Sequence, residues 1–395
     1  MTHPPESGPL TGFTVLDLTR ALAGPHAGMM LADLGARVIK VETPGHGDES
    51  RTWGPPFVDG SDGEAVSTYF LSCNRGKESI SLDLKSAEGR ELLSDLIARS
   101  DVLMENFRPG VLDRLGFPTA TLFELNPRLV VLSITGFGHD GPEGQRPGYD
   151  QIAQGEAGIM SITGSGPDDP QRVGVPIGDL ISGMYGAYGI LAALLERERT
   201  GRGQVVRTSL LAALVGIHAF QGTRWTVAQE VPRAQGNHHP SISPYGLFHC
   251  QDGAVQIACG NEALWTRLCE EFGLDPTTPT MATNHQRVVH RDEVIALLES
   301  TFASLDQAEL LARLDRAGIP SGRVRTLQDV YEWEQTRSQG LVVEVDHPTL
   351  GPVELPGPPL RFFDAAGAET TRTGHGSPPL LNQHGDQIRQ WLADE

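Results

Sequence analysis

Four cysteines in 395 residues, at 73, 250, 259 and 269, form no C-x-x-C pair. Neither a disulfide framework nor a cysteine-based zinc site is expected; reduced thiols in a cytoplasmic protein are. Cys73, beside Asn74 and Arg75, has the surroundings of an activated thiol but reads more simply as a buried structural cysteine. Positive charge is scarce: 31 Lys and Arg face 50 Asp and Glu, a net charge of −19. Nucleic acid and anionic membrane surfaces need a basic face, so neither is an expected partner. An anionic small ligand would need a local basic pocket. No apolar run approaches the roughly 18 residues of a membrane span, and Met184 to Leu195 reads as a buried helix. Residues 1–8 have no apolar core, so no secretion signal is expected. The turn 19–25 lacks G-x-G-x-x-G, which argues against nicotinamide binding. No G-x-S-x-G elbow and no H-x-x-x-H or H-E-x-x-H spacing occur, and the adjacent His238 and His239 point opposite ways on an extended loop. A metal site is therefore not expected.

Glycine and proline are plentiful, at 46 and 28, so tight turns are many, and 39% apolar content is ample for a core. Strand patterns at 13–18, 37–41, 101–105, 129–134 and 204–209 alternate with helical patterns at 24–34 and 87–99. That alternation predicts a Rossmann-like, doubly wound, mostly parallel sheet. After about residue 215 the pattern changes to a polar stretch, short strands at 247–250 and 255–259, and helices at 262–272, 288–303 and 307–317. The expected organisation is a large α/β domain over 1–215, a smaller α+β domain over 216–335, and a C-terminal segment, 336–395, with broken strands and a helix at 385–393.

The segment Val173-Gly174-Val175-Pro176-Ile177-Gly178-Asp179-Leu180 places one carboxylate among small and apolar residues. Removing that charge from water is costly, so it needs a partner or a task. One reading makes Asp179 the N-cap of a long apolar helix. The other makes it a reactive carboxylate, reachable because glycines flank it, and the two are compatible. Elsewhere, Asn74-Arg75-Gly76-Lys77, Lys85, Arg108 and Arg114 put cations around strand ends, where open α/β sheets bind ligands.

The chain resembles the class III coenzyme A transferases, the family of formyl-CoA transferase, carnitine CoA-transferase and the 2-methylacyl-CoA racemases. The resemblance rests on ordered motifs along nearly the whole length: V-L-D-L-T-R-A-L-A-G-P (15–25), L-A-D-L-G-A-R-V-I-K-V-E (31–42), P-G-x-G-D-x-x-R (44–51), N-R-G-K-E-S-I-S-L-D-L-K (74–85), E-N-F-R-P-G-V-L-D-R-L-G (105–116), T-G-F-G-x-D-G-P (135–142), G-D-L-x-x-G (178–183) and T-G-R-G-Q (200–204). It implies an interlocked homodimer, each protomer threaded through the other, with acyl-CoA and a carboxylic acid as substrates. Asp179 maps to the family's nucleophile. Family contacts to coenzyme A map to Leu22 and Ala23, to Leu82 through Lys85, to Asn106, Phe107, Arg108 and Arg114, and to Tyr149 and Asp150. Thr43 stands where some members carry an Arg for the adenosine phosphate, with Lys40 or Arg75 as substitutes. The loop from Gly236 to Pro244 maps to a mobile lid, with His238, His239, Ser241 and Tyr245 as acceptor-pocket candidates. That polar lining suggests a short or dicarboxylic acceptor.

The implied chemistry is covalent. The carboxylate of Asp179 forms a mixed anhydride and then an aspartyl-CoA thioester, with backbone N–H groups near Gly178 or Gly260 as oxyanion donors. Burial is expected to raise the Asp179 pKa by roughly two units. The rival is an acyl-CoA isomerase; its base is a His, and Tyr149 holds that position in Pro147-Gly148-Tyr149-Asp150. A non-catalytic CoA-binding relative is the third alternative.

Overall fold

The structure is a computed structural model and describes residues 8–394. Six strands build the main sheet: β1 (Thr14–Asp17), β2 (Arg37–Glu42), β3 (Lys77–Ser81), β4 (Val102–Glu105), β5 (Val130–Thr135) and β6 (Val205–Ser209). Their order is β3-β2-β1-β4-β5-β6, and every pairing is parallel. The order reverses between β1 and β4, and the carboxyl ends of these two neighbours open a crevice where such sheets bind ligands.

Side chains alternate across the strands and feed two cores. On one face Val15, Val38, Met104 and Leu132 pack with helices α1 (Ala23–Asp33) and α4 (Ile177–Thr200). On the other, Leu16, Ile39, Leu103 and Val131 pack with α2 (Ala87–Ala98) and with Ile388 of the C-terminal helix Gly385–Ala393. Both β4 and β5 are buried along their whole length, as a sheet covered on both faces requires. Between α2 and α4 lies a short helix, α3 (Asp150–Glu156). Helices α1 and α4 approach closely because position 183 is glycine: a Cβ there would stand 2.5 Å from the Ala23 carbonyl oxygen.

Helix α4 departs from the expected buried helix. Its 24 residues are long and apolar enough to cross a membrane by length and composition alone. One face, with Gly183, Gly186, Ala187, Ile190 and Leu194, is buried. Met184, Tyr188, Leu191 and Leu195, spaced four, three and four residues apart, form a stripe exposed by 46%, 71%, 37% and 76%.

The chain divides into two compact units, one of residues 1–159, 173–228 and 334–395, the other of residues 160–172 and 229–333. These bounds differ from the expected 215 and 335, and the excursion at 160–172 left no mark in the sequence pattern. Long-range backbone bonds explain it: Ala234 N–H donates to the Ser161 carbonyl and Gly236 N–H to that of Gly164, both within the smaller unit. That unit holds an antiparallel sheet in the order Ser321–Arg323, Gly253–Ala258, Tyr245–Cys250. Its own core contains Phe248, Val255, Trp265, Leu268 and Phe302.

Candidate active site

Helix α4 begins without a side-chain cap of its own, because its N-cap residue is Pro176. The cap comes from α3: the Asp150 Oδ1 accepts the N–H groups of Gly178 at 2.7 Å and Asp179 at 3.2 Å. Asp179 is therefore not the N-cap; it lies in the first turn. The Gly178 amide is also already engaged, so it is not an available oxyanion donor. Gly260 belongs to the smaller unit.

Relieved of capping, the Asp179 side chain makes no hydrogen bond and no ion pair among the described residues. Burial, reinforced by the negative charge of Asp150, pushes its carboxyl up to about 7. The upward direction was expected, but the extent is greater. Asp179 is close to half ionised at neutral pH rather than almost fully so. A half-buried carboxylate without a partner is costly in its charged form, and a perturbed carboxyl of this kind in a cleft marks a candidate functional group.

Asp179 lines a cleft of about 390 Å³, together with Arg20, Trp53, Tyr69, Asn106, Phe107, Arg108, Tyr149 and Asp150. Burial and then the charge of Asp179 raise the Tyr69 hydroxyl pKa, which keeps it a neutral donor. The Tyr69 ring meets Trp53 edge-on at 4.9 Å. A second cavity of about 320 Å³ is lined by Thr43, Leu82, Lys85 and Val111 and shares Arg20 and Phe107 with the first. The two adjoin at Arg20 and Phe107, which follow the carboxyl ends of β1 and β4.

The cations expected in this region divide into two groups. Lys40 is fully buried on Asp48 at 2.8 Å and on the Thr19 carbonyl. Burial opposes its charge, but Asp48 and Asp17 outweigh it and hold the ammonium above the usual lysine range. Arg75 is buried on Asp33 and the Pro356 carbonyl. Neither is available to a phosphate, so the motif residues around them serve the scaffold. Asp48 also accepts the Ala21 N–H at 3.1 Å, and Ala21 has the left-handed φ of 66° that non-glycine residues seldom adopt. The buried Lys77–Asp17 pair, at 2.9 Å, reaches the Pro25 carbonyl and braces the start of α1. The second group is Arg20, Lys85, Arg108 and Arg114. All four are exposed, and none makes an ion pair among the described residues. The Arg20 guanidinium rests over the Phe107 ring at 5.3 Å.

Ala23 lines the cleft, whereas Leu22 is buried beside it. The Asn106 amide is occupied on the Arg20 backbone, accepting its N–H at 2.9 Å and donating to its carbonyl at 2.8 Å. Arg20, Trp53 and Tyr69 were missed by sequence reasoning. Arg20 carried a usable signal, since it follows the end of β1 at the switch point; the two aromatics carried none. Cys73 is buried, and burial pushes its thiol up to about 11, so it is not an activated nucleophile. Among the described residues no group of three or more His, Cys, Asp or Glu could hold a metal ion.

The loop residues Gly236, His238, His239, Ser241 and Tyr245 belong to the smaller unit. Within it His239 stacks on Tyr245 at 5.2 Å, and Arg291 donates to the carbonyls of His239 and Pro240. The loop is thus tied to its own unit at several points.

The chain resembles proteins of known activity over nearly its full length. It is 40% identical over 378 residues to succinyl-CoA:glutarate CoA-transferase of Mus musculus, covering 95% of this chain and 84% of that protein. To acetyl-CoA:oxalate CoA-transferase of Acetobacter aceti it is 37% identical, covering 98% of this chain and 97% of the other. The solved structure of a CaiB/BaiF family protein from Brucella suis superposes with a TM-score of 0.85 at 40% identity, over 98% of this chain and all of that one. Residues 10–385 match the family described as CoA-transferase family III; the chain belongs to that family and is a transferase enzyme.

Proposed function

We propose that this enzyme moves coenzyme A from an acyl-CoA to a carboxylic acid by covalent catalysis on Asp179. The observation that carries this reading is the half-buried Asp179 carboxylate, which lines the switch-point cleft with no hydrogen-bond or ion-pair partner among the described residues. The ionised carboxylate attacks the thioester carbonyl; the C–S bond breaks and leaves CoA thiolate beside an acyl–aspartyl anhydride. The thiolate then attacks the aspartyl carbonyl, releasing the donor acid and forming an aspartyl-CoA thioester. The acceptor carboxylate attacks that thioester, giving a second anhydride and thiolate. Thiolate attack on the acceptor carbonyl frees Asp179 and delivers the new acyl-CoA. The covalent intermediates split one difficult exchange into easier steps.

The two adjoining cavities support coenzyme A as the ligand. Lys85 in the lining of the second cavity offers positive charge to its phosphates on a chain otherwise strongly acidic, and the neighbouring cleft receives the thioester; Arg114 lines neither cavity. Both transferases compared above are named for a dicarboxylic acceptor, and the unpaired guanidiniums of Arg20 and Arg108 suit a second carboxylate. We therefore read the acceptor as a short dicarboxylic acid. A homodimer is part of this proposal: the exposed apolar stripe of α4 is the kind of surface a second protomer covers. Light scattering at micromolar concentration is expected to give twice the chain mass, and a stable monomer would contradict it.

The test is transfer from succinyl-CoA to a panel of mono- and dicarboxylates. Wild type is expected to form the new thioester with a dicarboxylate. Asp179→Ala should still bind CoA while losing transfer by at least about a thousandfold. Normal turnover in that variant would remove Asp179 from the mechanism.

A further inference from the structure

Gln154 is fully buried in α3 and has no place in the chemistry above. Its side chain lies between two groups of opposite need. The Val173 N–H donates to Gln154 Oε1 at 2.8 Å. Gln154 Nε2 donates in turn to Asp150 Oδ2 at 2.7 Å. The other oxygen of Asp150 then takes the two amides that open α4. One chain of hydrogen bonds therefore runs from the segment entering α4, through Gln154 and Asp150, to the backbone of Asp179 itself.

A primary amide fits this place. It accepts from the Val173 N–H at one end and donates to a carboxylate at the other, which neither an ionised glutamate nor an apolar side chain of the same length can do. A glutamate would set its oxygen against the Asp150 carboxylate and bring a second negative charge toward Asp179. Room for the relay is also provided from the far side: a Cβ at Gly178 would stand 3.0 Å from Asp150 Oδ1.

We propose that Gln154 is a positioning residue for the nucleophile: by fixing the rotamer of Asp150 and anchoring Val173, it sets where the first turn of α4 presents Asp179 in the cleft. The inference rests on the transferase reading and adds to it a residue that touches no substrate. It predicts that the energetic effect of Gln154 passes through Asp150, whereas a glutamine that merely filled space would act independently of it.

The experiment is a double-mutant cycle with Gln154→Met, Asp150→Ala and the pair, using succinyl-CoA and glutarate. Gln154→Met is expected to lower kcat at least tenfold with the donor KM within about threefold of wild type. Added to Asp150→Ala, it should cause less than a twofold further loss. Losses that multiply, a normal kcat, or a loss confined to KM would overturn the proposal. Gln154→Leu, of similar volume but unable to hydrogen-bond, carries the kcat comparison if Gln154→Met does not fold, and wild-type kcat in that variant overturns the proposal equally. The same proteins unfolded in urea separate this idea from the functional reading. If wild type transfers nothing to any acid, the transferase reading fails, while the Gln154–Asp150 link still stands or falls on a stability coupling of at least fivefold, about 1 kcal/mol.

Discussion

Replacing Asp150 by Asn isolates the electrostatic part of the site. The substitution keeps an oxygen to accept the Gly178 and Asp179 amides and removes the negative charge beside the Asp179 carboxyl. Moving a carboxyl from 3.8 to about 7 corresponds to about 4 kcal/mol. Burial is the larger cause, so the Asp150 charge accounts for less than half, at most about 2 kcal/mol. That agrees with the lower end of the about 2–4 kcal/mol for unit charges a side chain's length apart at an effective dielectric of about 20. The Asp179 carboxyl should then titrate about one pH unit lower in Asp150→Asn. In the proposed mechanism the ionised carboxylate attacks, so kcat/KM for the donor should rise through an inflection near 7 in wild type and near 6 in the variant. Lost hydrogen bonding between residue 150 and Gln154 should cost about 1 kcal/mol of stability and lower the plateau without moving the inflection. An inflection that stays put, or moves to higher pH, would refute the assignment of Asp150 as the charge that raises Asp179.

Stability should report the same group with the opposite sign. The Asp179 pKa is raised in the folded state, so its ionisation opposes folding, and stability is lost as pH rises from about 4 through 7. Asp179→Asn should match wild type in urea near pH 4 and exceed it by about 2–4 kcal/mol at pH 8; a gap independent of pH would contradict this. Gly178→Ala should push the Asp150 carboxylate off the helix end, lowering kcat about tenfold or more with little change in donor KM, and an unchanged kcat would show that the cap is dispensable. Arg20→Ala should raise the KM of a dicarboxylate acceptor at least tenfold and that of a monocarboxylate far less; equal effects on both would remove Arg20 from acceptor recognition.

Local patterns in the sequence made the parallel sheet legible, because its strands are short apolar runs separated by amphipathic helices and glycine turns. That a long apolar helix starts beside Asp179 was legible for the same reason, although the sequence offered Asp179 as its N-cap and the structure puts Pro176 there. What failed to show was non-local. Lys40 and Arg75 look like ligand-binding cations until Asp48 and Asp33 are seen to neutralise them in the interior. The cap of α4 arrives from Asp150, 28 residues before Gly178, while Pro176 at the N-cap position signals nothing. An apolar run such as Met184 to Leu195 cannot reveal that half of it faces outward. Residues 160–172 join the smaller unit through backbone bonds, which no side-chain pattern records.

Covalent catalysis on this carboxylate requires that Asp179 become acylated. Intact-protein mass spectrometry after mixing with succinyl-CoA and other acyl-CoAs, quenched with hydroxylamine, tests it most directly. An activated aspartyl ester is converted to a hydroxamate, and this mark should map to Asp179 with at least one donor and be absent from Asp179→Asn. No mark with any donor, together with deuterium exchange at the α-carbon of a 2-methylacyl-CoA, would contradict it and point to proton transfer instead.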